Sequence, residues 1–465
     1  MSVGLHASAR ATDCHSGRTD AHPRRMDKTA GDAQRMVVVE RMVGKLTPSE
    51  IERSANEHRA FQRARGITCA KNLLVMALCY ALTNFSLGEV AAWAACVDLA
   101  DVSGEALCKR LAHCQSWLGY LLEQKLITMQ TAAMVALQTL APVIQDATVI
   151  CVVGSKGTDY RVHLKLNLAT QKIADVVVTD AKGGEFLGRL RLQAGDLVIA
   201  DRIYGTRQSA AAALAVAAEV LVRITHTNMP MCDEQGKRLD LLALARQCPT
   251  DKPLSLPVTT VAVHRKNEEL PAISGRLVIA RKGSVAAERD RRKLRQETKG
   301  TPKAKTLEAQ DYIWVFTTLP EEVLSAELVM DLYRFRWQVE CCFKRQKSVL
   351  ELDCIRAKKP ETVQAVLYAK LLAVLCLDEM VAHWEKAFEA AVGDPTAVML
   401  PLWRMMRQLW ASMKVALGVF LLPEEWGDSP PGVLRRMVQG RRPRTRERNE
   451  KLAAILSQLE AHALS

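Results

Sequence analysis

The chain has no C-x2-C pair, no apolar run long enough to cross a bilayer, and no apolar signal-peptide core near its start. Each absence removes a class of protein. Thirteen cysteines, an odd number scattered from Cys14 to Cys376 without a nearby histidine ligand set, argue against a zinc site and a disulfide framework. Cys79, Cys151 and Cys376 sit inside apolar runs, where free thiols behave as small hydrophobes in a reducing compartment, so the cytoplasm is the expected location. The longest apolar run, residues 73–82, covers only about half of the roughly 20 residues a spanning helix needs, and Lys370 interrupts residues 365–377. No membrane partner is expected. Residues 1–45 read as a disordered or mis-started tail, with Met26, Met36 and Met42 as other possible starts. Acid is in deficit as well: 51 Asp and Glu against 64 Lys and Arg leave a formal charge of +13, which predicts salt-sensitive attraction to a polyanion. Charge alone does not choose between DNA, RNA and an anionic membrane.

What is present suffices for real cores: 465 residues, 49% of them apolar, can build two to four compact units. Thr47, Pro48 and Glu50 spell a helix start, and further helices are expected over 69–82, over 87–96 behind a Ser86-x-x-Glu89 capping box, and over 104–122 behind Ser103. Residues 46–135 therefore read as a helical domain. Lys109 and Arg110 on its last helix suit a DNA major groove, while Leu107, Leu111, Cys114 and Leu118 form a core stripe on that helix.

From residue 143 the pattern turns to strands. Residues 149–153 and 162–166 pair around a glycine turn, 173–178 follows, and 197–200 is a short continuous apolar run such as a buried central strand requires. An alanine-rich helix over 206–218 and a strand over 220–225 come next. Strands followed by a strand-helix-strand unit, closed much later by a helix, describe an α/β fold with an RNase H-like core over 136–225 and 310–380. Between those halves, 226–309 reads as a β-rich insertion with strands over 258–264 and 276–280. It carries an exposed basic arm, since ten cations face three acids from Arg281 to Lys305. Residues 381–465 form a helical C-terminal region, broken at Pro430-Pro431-Gly432 and basic over 435–448.

The closing helix carries the most specific pattern, Y-x2-R-x3-E-x6-K. On one continuous helix, Arg336, Glu340 and Lys347 fall about −60°, −20° and −40° from Tyr333, so all four share a narrow stripe. One carboxylate among two cations and a phenol suits an acid that holds a metal ion while the other groups grip phosphate oxygens. A solvated face with ion pairs has the same residues. Metal-assisted phosphodiester chemistry needs more than one acid, and Asp146, Asp180 and Asp201 each sit at the edge of an apolar run. Asp180 precedes Ala181-Lys182-Gly183-Gly184 and suits a turn. Asp146 shares its strand face with Thr148 and Ile150, and Asp201 closes the buried 197–200 strand, where a carboxylate is costly unless paired or metal-bound. The residues alone do not rank the three.

The pattern resembles the Y-R-E-K signature of bacterial insertion-sequence transposases of the DDE class, in the insertion-sequence-four family. That family carries its first acid in an Asp-x-Thr context, matched by Asp146-Ala147-Thr148, and its second in an apolar-Asp-Arg context, matched by Ile199-Ala200-Asp201-Arg202. Its third acid is matched by Glu340, and the similarity runs on through Arg336-Trp337-Gln338 and Phe343-Lys344, covering residues 46–380. The resemblance implies a DDE transposase in which Asp146, Asp201 and Glu340 are catalytic and bind two Mg²⁺ ions, with Mn²⁺ as a substitute. It implies contact with double-stranded DNA, both inverted-repeat ends and target, through Tyr333, Arg336, Lys347, Arg223 and Trp314, the indole accepting a flipped base. It further implies cut-and-paste chemistry through hairpin ends, in a synaptic homodimer. A catalytically silent DNA-binding regulator and an RNase H-like structure-specific endonuclease are the alternatives.

Overall fold

Alternating apolar residues build one large sheet at the centre of the chain. The computed structural model describes residues 37, 39–44, 46–96, 99–134, 140–265, 268–391, 398–399, 402–414, 439–440 and 443–463. Strands β1 (Ala141–Ile150), β2 (Tyr160–Asn167) and β3 (Ile173–Asp180) form an antiparallel meander. Strand β4 (Asp196–Ala200) runs parallel to β1, and β5 (Glu219–Arg223) parallel to β4. The resulting order, β3-β2-β1-β4-β5, is the RNase H-like core.

The expected insertion is not a separate body. Its strands β6 (Met231–Cys232) and β7 (Leu254–Thr260) are followed by a small hairpin, β8 (Val263–Arg265) with β9 (Glu268–Leu270), and then by β10 (Ser274–Arg281) and β11 (Tyr312–Thr317). Strand β11 returns to pair antiparallel with β5, and β10, β7 and β6 extend the sheet beyond it to nine strands. The otherwise open edge of β11 is thereby covered, as an apolar edge requires.

Helices flank both faces. In the N-terminal region α1 (Pro48–Glu57) begins at a reciprocal cap, Thr47 Oγ1 accepting from the Glu50 amide while Glu50 Oε2 accepts from the Thr47 amide. Ser86 and Glu89 exchange the same bonds ahead of α3 (Leu87–Cys96), which follows α2 (Ala70–Leu82). The helix expected over 104–122 is two, α4 (Gly104–His113) and α5 (Gln115–Met134). Its break falls at Cys114, whose amide bonds to the Leu111 carbonyl three residues back and tightens the last turn of α4. Leu107, Leu111, Cys114 and Leu118 are all buried, as the stripe required. The tail boundary at residue 45 moves upstream, because Val39, Met42 and Val43 are buried in the same core.

The two faces of the sheet divide by residue parity. Ile144, Leu197, Ile199, Leu221, Val278 and Val315 join α2, α5 and later helices in one core. Val143, Val198, Val220, Trp314, Phe316 and Ile279 enter a second core on the opposite face. That second core takes α6 (Arg207–Leu214) and α7 (Leu241–Arg246). The basic stretch is helix α8 (Ser284–Glu297), anchored by Ala287, with Arg289, Arg292, Lys293 and Arg295 exposed. Several of its cations are matched within reach: Arg291 and Arg295 with Glu288, Lys293 with Glu297, and Arg289 with Asp290. A short α9 (Ala304–Glu308) leads into β11. Then come α10 (Ala326–Arg334), α11 (Trp337–Leu350), α12 (Pro360–Ala391), α13 (Leu402–Lys414) and α14 (Pro443–Ala463). The Pro430-Pro431-Gly432 breaker lies outside the described residues. No helix among the described residues is long and apolar enough to cross a membrane.

Candidate active site

Parity decides where the acids point. The β1–β4 register pairs Ile144 with Ile199, so two residues further on Asp146 stands opposite Asp201, both on the face of the first core. Helix α11 packs over β1 on that face and brings Glu340 to it. A guanidinium joins the two elements: Arg336 donates to Glu340 Oε1 at 2.5 Å and to Asp146 Oδ2 at 3.5 Å. Asp201 turns its Oδ1 back to the Ile203 amide at 2.8 Å.

The four-residue stripe rides on two helices rather than one. Phe335 and Arg336 interrupt the expected helix through i to i−3 bonds, Phe335 N to Leu332 O, Arg336 N to Tyr333 O and Gln338 N to Phe335 O. This tighter winding changes the angular step, so Tyr333 ends α10 while Glu340 and Lys347 belong to α11. Tyr333 remains by the cluster. It is buried beside Arg223, which bonds to its hydroxyl, and burial pushes that hydroxyl's pKa up. Lys347 donates to the Val149 carbonyl at 2.9 Å and faces the same cleft as Asp146 and Glu340.

Burial dominates the electrostatics of the acids. Burial, with Asp201 and Glu185 nearby, pushes the Asp146 carboxyl up to about 7, although its bond from the Ala147 amide and the Arg336 cation pull it down. Burial and then Asp201 raise Glu185 as well. Glu185 follows the Gly183-Gly184 turn and carries no motif, so no local signal in the sequence marks it. Below the acids Tyr204 is fully buried and its hydroxyl lacks a partner among the described residues. On Arg336, burial opposes the charge, but Tyr333, Glu340 and Asp146 outweigh it and hold the guanidinium protonated.

Other expected residues fall elsewhere. Trp314 is a correction: β11 directs it into the second core, 3% exposed, with its ring near Tyr312 and His226 and its Nε1 toward the Ala309 carbonyl. It lies on the opposite face of the sheet from Asp146 and cannot take a base there in this conformation. Lys109 is exposed and pairs loosely with Glu105, whereas Arg110 is spent on the Arg63 carbonyl. Asp180 closes a turn through the Lys182 and Gly183 amides, the role its flanking glycines suggested.

Residues 142–376 match the model of the transposase DDE domain. The chain belongs to the DDE transposase family. It is 33% identical over 342 residues to the InsL transposase of insertion sequence element IS186A from Escherichia coli K12, covering 72% of this chain and 91% of the relative. The identity is again 33%, over 343 residues, with the transposase of insertion sequence element IS421 from Escherichia coli, at the same coverage. A piggyBac transposase synaptic complex with hairpin DNA is similar at a TM-score of 0.43 and 10% identity, covering 87% of this chain and 83% of that one, a likeness too low to argue from.

The transposase is thus an enzyme, in a family that uses divalent metal. Its candidate donors are all carboxylate oxygens, the hard ligands that such an ion prefers. No three His, Cys, Asp or Glu side chains among the described residues stand close enough to share one ion, and Arg336 pairs with both Asp146 and Glu340.

Proposed function

We propose that the transposase cuts and joins insertion-sequence ends with Asp146, Asp201 and Glu340 as its catalytic, metal-holding carboxylates. The observation that carries this reading is that Arg336 joins Asp146 on β1 to Glu340 on the helix above, on the face toward which Asp201, at the end of the neighbouring parallel strand, also points. Two Mg²⁺ ions, with Mn²⁺ as substitute, would supply Lewis acidity at the attacking and leaving oxygens. The chain's own residues do the rest. Arg336, displaced from the carboxylates, neutralises a non-bridging phosphate oxygen, and Lys347 holds a neighbouring phosphate. Arg223 fixes the Tyr333 hydroxyl against the strand being cut.

A water cleaves the phosphodiester at the element end, leaving a 3′ hydroxyl and a 5′ phosphate. That hydroxyl then attacks the opposite strand, releasing its 3′ oxygen and closing a hairpin on the element end. The region 46–135 engages the end sequence, with Lys109 as a phosphate contact, and two protomers hold two ends together. The test is Glu340→Gln on duplexes carrying the inverted repeats that flank the coding region. Loss of Mg²⁺-dependent cleavage by a factor of about 10³ or more, with duplex affinity kept, is expected. Cleavage at the wild-type rate would remove Glu340 from the mechanism. A wild-type chain that binds the ends but never cuts them would instead be a DNA-binding regulator.

A further inference from the structure

Beneath the acids lie a donor without an acceptor and an acceptor without a donor. Tyr204 is 1% exposed, its ring belongs to the second core, and its hydroxyl has no partner among the described residues. Phenylalanine would fill the same space without leaving a buried donor idle. Glu185 is the counterpart: half-buried, with no donor to its carboxylate among the described residues, it acts on the Tyr204 hydroxyl more strongly than Asp146 or Asp201 does.

The backbone holds both residues beside Asp201. Tyr204 lies on the turn that Asp201 opens, closed by the Ile203 amide on Asp201 Oδ1 at 2.8 Å and the Gly205 amide on the Arg202 carbonyl at 3.3 Å. The segment that carries Glu185 is pinned to α6 and to the sheet. There the Leu187 amide donates to Ser209 Oγ at 3.4 Å, the Arg191 amide to Asp175 Oδ2 at 2.7 Å, and the Gln193 amide to Asp196 Oδ2 at 3.0 Å. Arg161, the cation that acts on Glu185, commits its guanidinium to the Ala181 and Gly183 carbonyls. Glu185 is therefore left to the hydroxyl and to Asp201.

We propose that Tyr204 is a positioning residue, its hydroxyl donating to Glu185 so that the fixed Glu185 carboxylate orients Asp201 at the end of β4. The core holds the tyrosine ring, and the mobile partner is Glu185, whose torsions turn in half-open space. With Oδ1 tied to the Ile203 amide, Asp201 has one free oxygen, and a like charge alongside favours turning that oxygen away from Glu185. The proposal rests on the reading of Asp201 as a catalytic carboxylate.

The experiment measures single-turnover cleavage and duplex affinity of the full chain with Mg²⁺, on duplexes carrying the inverted repeats, for Tyr204→Phe, Glu185→Ala and the double variant. Each single change is expected to slow cleavage about tenfold with affinity within about twofold and the urea midpoint unchanged. The double variant should be no slower than Glu185→Ala, because the hydroxyl acts only through that carboxylate. Glu185→Gln, which keeps an acceptor oxygen, should preserve the loss caused by Tyr204→Phe. Cleavage by Tyr204→Phe at the wild-type rate, losses that multiply in the double variant, or slowing that tracks a lowered urea midpoint would overturn the proposal. Glu340→Gln cutting at the wild-type rate would remove the catalytic reading and leave the Tyr204 and Glu185 coupling measurable. Multiplied losses with Glu340→Gln inactive would remove only the coupling.

Discussion

Replacing Arg336 with alanine should destabilise the transposase without divalent ions and much less with them. The guanidinium spans Asp146 at 3.5 Å and Glu340 at 2.5 Å, with side-chain exposures of 19% for Arg336, 16% for Asp146 and 38% for Glu340. A charge-assisted bond to a largely buried carboxylate contributes about 1.5–3 kcal/mol, and the half-exposed i,i+4 pair with Glu340 adds roughly 0.5 kcal/mol. Asp146 offsets part of the loss by taking up a proton, since burial already pushes its carboxyl up to about 7 and removing the Arg336 cation pushes it further, so the measurement belongs at a higher pH. Near pH 8 the variant should lose about 2 kcal/mol in urea unfolding with chelator present. Saturating Mg²⁺ at about ten times Kd returns roughly 1.4 kcal/mol to a site with no cation to displace. The wild type, which must first move its own guanidinium, should gain less. An identical loss with and without Mg²⁺ would mean that Arg336 is a structural cation and that the acids around it are not a metal site.

Arg276 on β10 is buried and donates to the carbonyls of Leu319 and Leu324 and to Ser255 Oγ while pairing with Glu321, tying the sheet to the segment before α10. Arg276→Met strands the Leu319 and Leu324 carbonyls and should cost about 3 kcal/mol in urea unfolding, low in the range for a broken buried pair because Glu321 reaches solvent. His163 is buried, and that burial, with Arg189 and Arg161, holds its pKa down at about 4 against the ordinary 6.5. The unfolded chain therefore takes up the proton first. The stability His163 contributes is complete above about pH 6.5 and falls by roughly 3 kcal/mol as pH drops to 4, and the wild-type minus His163→Gln difference in unfolding free energy should follow that window.

The legible parts of the sequence were the local ones. Thr47 with Glu50, Ser86 with Glu89, and Ser103 each declare a helix start within four residues, and all three caps form. Strand parity also carried Asp146, because Ile150 repeats its face at period two. Trp314 escaped because β11 is apolar on both faces, and a doubly buried strand does not say which side meets the helix with Glu340. The break at Phe335 escaped because the residues still fit a 3.6 period while the backbone winds locally at three. The cation run before β11 is helical, a conformation that its Glu288, Arg291 and Arg295 spacing signals. Glu185 reaches the site only through tertiary packing, which no local window reports.

One pairing bears on how the protein comes into being. Strand β5 finds its antiparallel neighbour only when Val315 lies against Arg223, so the chain must grow by some ninety residues before that ladder can close. At usual synthesis rates this leaves the middle of the sheet unzipped for roughly 5–20 s on the ribosome. A messenger cut short before β11 would yield a fragment with a sticky open seam and no Glu340, inert toward DNA and prone to clump.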